Sequence, residues 1–348
     1  MWNYKQEILD WIKSEDEKKR ILVITGPTAS GKTGVSIKIA QFFQQNNITA
    51  EIINADSRQI YTDLPITVAV PTLEEREGIA HYLFEYVSPN KTYNVAEWRD
   101  DALQKIKEIN SRGNVVIFCG GTGLWIDAIT KNYTLGVAPN EEFRKKYEKK
   151  SLEDLYLELL EKDEAQAKIL GKNKKYLIRA LEICEEFGNK TEYAVESKSE
   201  YEFFMLGVTW EREKLYDRIN KRNEIMFNDG FLEEADAFAK KYVTNIPNPN
   251  TEIGYKAHAN ITDINNNDCG FIAHGIPEYL QYRNNEISLD ELKEKMKQHT
   301  RNYAKRQLTW WRKDKRVRFL NRETGEEIDI SADICESKSS RKNTRFKY

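Results

Sequence analysis

A parallel β-sheet flanked by helices and interrupted by a helical insertion is the α/β fold that three features of the sequence predict. An apolar run at residues 21–25 opens directly into Gly26-Pro27-Thr28-Ala29-Ser30-Gly31-Lys32-Thr33 and then into a helix-like stretch, 34–45. Two further apolar runs, 50–55 and 114–119, end in Asp56 and in Gly120-Gly121-Thr122-Gly123. Between residues 140 and 198 the pattern changes to charged helices. Short apolar runs that each end in a polar or glycine-rich turn are candidate parallel strands, and open sheets of that kind bind ligands at the carboxyl ends of their strands.

The elements follow in order. Residues 1–20 carry Trp2, Ile8, Leu9 and Ile12 at helical spacing among acids and lysines, which predicts an N-terminal helical extension rather than a secretion signal. Residues 21–135 form the first part of the core and include a helical stretch, 124–130, after the third apolar run. Residues 136–200 form the insertion, with Leu152, Leu155, Leu159 and Leu160 on one helix face and Leu177, Ile178, Leu181 and Ile183 on another. Residues 201–320 return to the core through a strand at 203–208 and helices within 211–242 and 289–311. Between those helices, 247–279 is rich in Asn, Gly and Asp and reads as a loop or local insert. The polar tail, 321–348, is expected to fray.

Composition excludes several classes. With 40% hydrophobic and 32% charged residues among 348, and no apolar run near the roughly 18 residues that span a bilayer, the expectation is a soluble rather than a membrane protein; the N-terminal stretch adds the expectation of a cytoplasmic one, taken as a monomer. Cys119, Cys184, Cys269 and Cys335 form no CxxC pair, which argues against a zinc site or a disulfide framework. A net charge of −2 offers no whole-protein attraction to polyanions. Locally the picture changes: residues 297–318 carry nine Lys or Arg against the single acid Asp314, with Tyr303, Trp310 and Trp311 interleaved. Such a stretch suits RNA phosphates and unpaired bases, although a solvated helix face with core tryptophans would look the same.

The octet Gly26 to Thr33 fits GxxxxGK[ST] in full, in the strand–loop–helix setting of a P-loop NTPase-like sheet. Glycines let backbone N–H groups curl around phosphate oxygens, the following helix aims its positive end at them, Lys32 adds a point charge and Thr33 offers a hydroxyl to Mg²⁺. A triphosphatase would end a strand in an acid. The run 115–119 leads instead into Gly120-Gly121-Thr122, and the acid, Asp56, follows a different run. Asp56 is either an ordinary helix N-cap or a general base placed across a crevice from the phosphates.

Six motifs in order then resemble one family, the tRNA dimethylallyltransferases, also called tRNA isopentenyltransferases. They are the octet, Asp56-Ser57-Arg58-Gln59-Ile60-Tyr61, Gly120-Gly121-Thr122-Gly123-Leu124, Ile178-Arg179-Ala180-Leu181-Glu182, Ile253-Gly254-Tyr255-Lys256, and Thr300-Arg301-Asn302-Tyr303-Ala304-Lys305-Arg306-Gln307-Leu308-Thr309-Trp310. The resemblance implies that the octet, with Mg²⁺, holds dimethylallyl diphosphate. Its allylic carbon would be attacked by the N6 amine of the adenosine beside the tRNA anticodon, position 37. It further implies Asp56 as general base, Thr122 as a hydrogen-bond partner near the reacting oxygens and Arg222 as a clamp on the diphosphate. Arg218, on the same helix face, is the competing arginine. Contacts to the tRNA anticodon stem-loop are implied for Asp56, Ser57, Arg58, Gln59, Thr122, Arg144, Lys175, Tyr176, Leu177, Ile178, Arg179, Gly254, Tyr255, Lys256, Arg301, Lys305 and Arg306.

Where the family usually carries a lysine, this chain reads Val68-Ala69-Val70-Pro71, and Lys175-Tyr176 replaces a usual Gln-Arg. Trp125 stands where a Tyr is common, and an insert follows Lys256 with His258, Cys269 and His274 at no metal-ligand spacing. Two other readings remain open: an adenylate isopentenyltransferase acting on free AMP, ADP or ATP, and a P-loop small-molecule kinase binding ATP. The basic aromatic stretch favours tRNA over a free nucleotide, and the missing strand-end acid counts against the kinase.

Overall fold

The computed structural model describes residues 2–14, 19–91, 93–132, 140–188, 199–242, 273 and 275–330. They build a seven-stranded sheet in the order β3-β2-β4-β1-β5-β6-β7. The strands are β1 (Lys19–Thr25), β2 (Ala50–Asn54), β3 (His81–Tyr82), β4 (Val115–Cys119), β5 (Tyr201–Thr209), β6 (Val317–Asn321) and β7 (Glu327–Ile328). Neighbours run parallel except β6 and β7. Helices cover the sheet, so β1 reads as a continuous apolar run, and Ile21 to Thr25 are fully buried.

The register explains why distant segments meet. Ile24 pairs with Cys119 and Leu206, Cys119 with Asn54, and Thr209 with Asn321. The carboxyl ends of β2, β4, β1, β5 and β6 are therefore level, and the residues that follow them, Asp56, Gly120, Gly26, Trp210 and Arg322, emerge along one edge.

Three features depart from the sequence expectation. A helix at Val95–Ser111 went unread, although Asn94 and Glu97 form its capping box and Trp98, Ala102, Ile106 and Ile109 its buried stripe. Residues 276–279, expected as loop, begin the helix Ile276–Arg283. The tail does not fray at once, because β7 pairs antiparallel with β6; the remainder, 331–348, lies outside the described residues. The expected helical region 211–242 is two helices, Arg212–Asn228 and Phe231–Tyr242, parted at Gly230, whose φ of 102° favours glycine.

The chain divides into two compact units, Met1–Ile126 with Glu200–Tyr348, and Asp127–Ser199. The second packs the helices Glu141–Glu148, Leu152–Lys162, Glu164–Leu170 and Lys174–Phe187 around Leu155, Leu159, Leu177 and Leu181. Asn140, Ser151, Asp163 and Asn173 cap them, each side chain accepting a first-turn N–H. Among the described residues no helix is long and apolar enough to cross a membrane.

Candidate active site at the strand ends

The octet leaves β1 through Gly26, whose φ is 139° and whose missing Cβ would sit 2.2 Å from the Val208 carbonyl oxygen, so only glycine passes there. It closes at Gly31, a left-handed N-cap (φ 90°) for the helix Lys32–Gln44. Lys32 Nζ donates to the Pro27 carbonyl at 2.8 Å, and Arg222 Nη1 donates to Thr28 Oγ1 at 3.1 Å. Burial pushes the Lys32 ammonium below its usual range, Asp56 and Cys119 oppose that shift, and Arg222 adds to it. Burial likewise lowers Arg222, opposed by Asp56 and Glu75. Asp56 is thus close enough to act electrostatically on both cations, which joins the octet, Asp56 and Arg222 in one crevice.

Asp56 is not a helix N-cap. Its Oδ1 accepts the Arg58 N–H at 3.0 Å in a local turn, and the buried Asn54 fixes the backbone beneath it. Asn54 Oδ1 accepts the Asp56 N–H at 2.9 Å, while its Nδ2 donates to the Asp56 and Leu83 carbonyls at 3.1 and 2.9 Å. Thr122 ties this loop to the end of β4. Its Oγ1 accepts from Ser57 N–H at 2.9 Å and donates to Ser57 Oγ at 3.2 Å. Gln59 donates from Nε2 to the Val68 and Ala69 carbonyls at 3.3 and 2.7 Å, so it braces the segment where the usual lysine is absent. Trp125 is buried and stacks on Trp98 at 4.8 Å, a packing role for the larger ring.

The helix Leu289–Trp311 contributes the groups that sequence reasoning assigned otherwise or missed. Gln307, 5% exposed, accepts the Thr28 N–H at 2.8 Å through Oε1 and donates to the Gly121 carbonyl at 3.1 Å through Nε2. A side chain at Gly121 would meet that Nε2 at 2.1 Å. Tyr303, an aromatic of the basic stretch, is half-buried near Thr122 and Asp56: burial and then Asp56 push its phenol well above the ordinary value, against Arg58, Thr122 and Arg306. Trp311 is fully buried and belongs to the core, whereas Trp310 is 43% exposed and backs onto Gly123.

Among the described residues no group of three or more His, Cys, Asp or Glu could hold a metal ion. At the end of β4, Cys119 takes the place of a strand-end acid. Burial raises its thiol, opposed by Ser36, Lys32 and Thr33. The Thr33 hydroxyl at the start of the helix Lys32–Gln44 could serve as one ligand to magnesium, an ion that proteins usually bind through few side chains together with substrate phosphates.

The remaining sequence candidates separate by environment. Arg301 donates to Asn220 at 2.8 Å and to Gln298 at 2.9 Å, while Lys305 and Arg306 are exposed. In the second unit Lys175 and Tyr176 are exposed, whereas the side chains of Leu177 and Ile178 are buried in its core and serve its packing. Arg144 and Arg179 both pair with Glu182, itself 3% exposed. Gly254, Tyr255 and Lys256 lie outside the described residues, as do His258, Cys269 and His274.

Against known proteins, residues 59–314 match the family described as IPP transferase. A tRNA dimethylallyltransferase of Pelotomaculum thermopropionicum is 36% identical over 317 residues, 89% of this chain and 93% of that one. One of Acetivibrio thermocellus is 37% identical over 313 residues, 87% and 92% of the two chains. Among solved structures, a full-length tRNA isopentenylpyrophosphate transferase of Bacillus halodurans is similar with a TM-score of 0.61 and 29% identity, covering 93% of this chain and 95% of that one. A eukaryotic dimethylallyltransferase acting on tRNA gives a TM-score of 0.72 at 25% identity, covering 94% and 81%.

Proposed function

The chain belongs to the tRNA dimethylallyltransferase family, and from that premise we propose that it transfers the dimethylallyl group of dimethylallyl diphosphate to the N6 amine of the adenosine beside the tRNA anticodon. The observation that carries this reading is the arrangement at the strand ends: Arg222 donates to Thr28 of the octet, and the Asp56 loop, close enough to influence Lys32 and Arg222, is tied through Ser57 to Thr122 at the end of β4. The octet and Asp56 come from different strand ends, as a reaction beside a bound diphosphate requires.

The chemistry follows from these groups. The amine nitrogen attacks the allylic carbon as its bond to the diphosphate oxygen breaks, and the Asp56 carboxylate takes the proton that the amine sheds. An adenine amine is a poor nucleophile, so fixing it against the carbon supplies much of the rate. Charge builds on the departing oxygens, where Lys32, Arg222 and the octet N–H groups meet it without reorganising. Thr33 would offer its hydroxyl to a magnesium ion, which would supply further neutralisation of that charge. Thr122 and Asn54 keep the carboxylate loop in register with β4. These groups all lie within one compact unit of the chain, and on this reading the enzyme acts on tRNA as a cytoplasmic monomer.

Full-length protein incubated with labelled dimethylallyl diphosphate and either unmodified tRNA or AMP tests the proposal. Label is expected in tRNA, at the adenosine after the anticodon. Label in AMP alone would overturn it in favour of a free-nucleotide enzyme.

A further inference from the structure

The octet has two flanks. On one side of β1 stand β4 and β2, bringing Thr122 and Asp56; on the other stand β5 and β6, followed by Trp210 and Arg322. On this second flank Arg218, one turn before Arg222, donates from Nε to the Ala29 carbonyl at 2.9 Å and lies over the Trp210 ring at 4.5 Å. Trp210 Nε1 in turn donates to the Ser30 carbonyl at 2.9 Å. Arg322 is anchored through its own N–H to the Thr209 carbonyl at 2.9 Å.

The two guanidinium groups converge. A Cβ on Gly31 would lie 3.9 Å from both Arg218 Nη2 and Arg322 Nε, so both cations reach the turn that opens the helix Lys32–Gln44. Arg322 Nε is buried with no hydrogen-bond partner among the described residues. The nearby acids are otherwise engaged, Glu211 with Asn321 at 3.3 Å and Glu323 with Lys214. Burial, and then the facing Arg322, lower the Arg218 guanidinium from its ordinary value. Two cations meeting at a phosphate-type turn, with no acid paired to either among the described residues, are arranged for an anion.

We infer that Arg218 and Arg322 hold the terminal phosphate of the diphosphate, the one farther from the prenyl carbon. This rests on the diphosphate reading of the octet. The reacting carbon must face Asp56 on the β2 flank, so the diphosphate extends over the octet toward the opposite flank, where Arg218 and Arg322 stand. They take up charge as the leaving group departs and grip the pyrophosphate product.

The test compares wild type, Arg322→Gln and Arg322→Lys as full-length proteins. Inhibition of transfer is measured with inorganic pyrophosphate and with dimethylallyl monophosphate, which lacks the terminal phosphate. Arg322→Gln is expected to raise the pyrophosphate inhibition constant about 10-fold, as the loss of one charge-assisted contact implies, while the monophosphate constant and KM for tRNA stay put. Arg322→Lys is expected to recover part of the loss. Equal losses for both inhibitors would mean a distorted octet, and a change confined to KM for tRNA would mean an RNA phosphate; either result, or no change, overturns the inference. If pyrophosphate fails to inhibit even the wild type, the diphosphate reading itself is at fault.

Discussion

The crevice and the second compact unit treat their cations in opposite ways. In the crevice, Lys32 and Arg222 are half-buried, donate to Pro27 and Thr28 oxygens, and form no ion pair among the described residues. In the second unit, Arg144 and Arg179 share the carboxylate of Glu182 at its centre, and Arg144 contacts it at 2.9 and 3.1 Å. The first pair feels the charge of Asp56 but has no carboxylate bonded to it among the described residues, so its donors are available to a ligand; the second holds helices together. Substitutions in the two regions should therefore fail differently, one in binding and turnover, the other in stability.

The largest effect is expected at the carboxylate. Asp56→Asn should lower kcat by about 10²- to 10⁴-fold with an unchanged melting temperature, read by single-turnover transfer and calorimetry. Next, Lys32→Ala should weaken diphosphate binding by about 10- to 100-fold. Because Lys32 loses its proton below the ordinary lysine range, wild-type affinity should fall earlier on the alkaline side than an ordinary lysine allows, and Lys32→Ala should lack that fall. The sign for folding is opposite: the unfolded chain holds that proton longer, so this lysine's contribution to stability rises with pH. Gln307→Leu leaves Thr28 N–H and the Gly121 carbonyl without their partner, and should raise KM for the diphosphate about 10-fold while fold and tRNA affinity persist.

In the second unit the readout changes. Glu182→Gln should cost about 1–2 kcal/mol of stability, discounted because both arginines are part-exposed, with little effect on diphosphate affinity. A large loss of diphosphate binding there would erase the contrast between the regions. Smallest of all, Lys305→Ala should raise KM for tRNA a few-fold and flatten its salt dependence by about one phosphate's worth, since its ammonium is solvent-exposed.

Legibility in the sequence followed the distance over which each group acts. The octet, Asp56 and Gly120 to Thr122 are turns that directly follow apolar runs, so both their chemistry and their place at strand ends could be read locally. The same locality failed for Gln307 and Asn54. Gln307 reaches Thr28 across 279 positions, and nothing beside it in sequence distinguishes it from a polar residue on a basic helix. Asn54 ends β2 looking like one more strand residue, and its bonds to both sides of Asp56 appear only once Leu83 lies beneath. The strand Val317–Asn321 was hidden by charge, because Arg316 and Arg318 extend the basic run through it. The helix Val95–Ser111 was available in its capping pair and its buried spacing. For Arg144 and Arg179, the family resemblance suggested RNA; their partner Glu182 lies within a motif, but its burial could not be read there.

The sharpest test is pyrophosphate affinity, measured by titration calorimetry, in the wild type, Asp56→Asn and Lys32→Ala. If a cationic cradle and a catalytic carboxylate share one crevice, removing the carboxylate's negative charge leaves pyrophosphate binding intact or tighter, while removing the ammonium weakens it. Asp56→Asn losing pyrophosphate as severely as Lys32→Ala would contradict that division of labour.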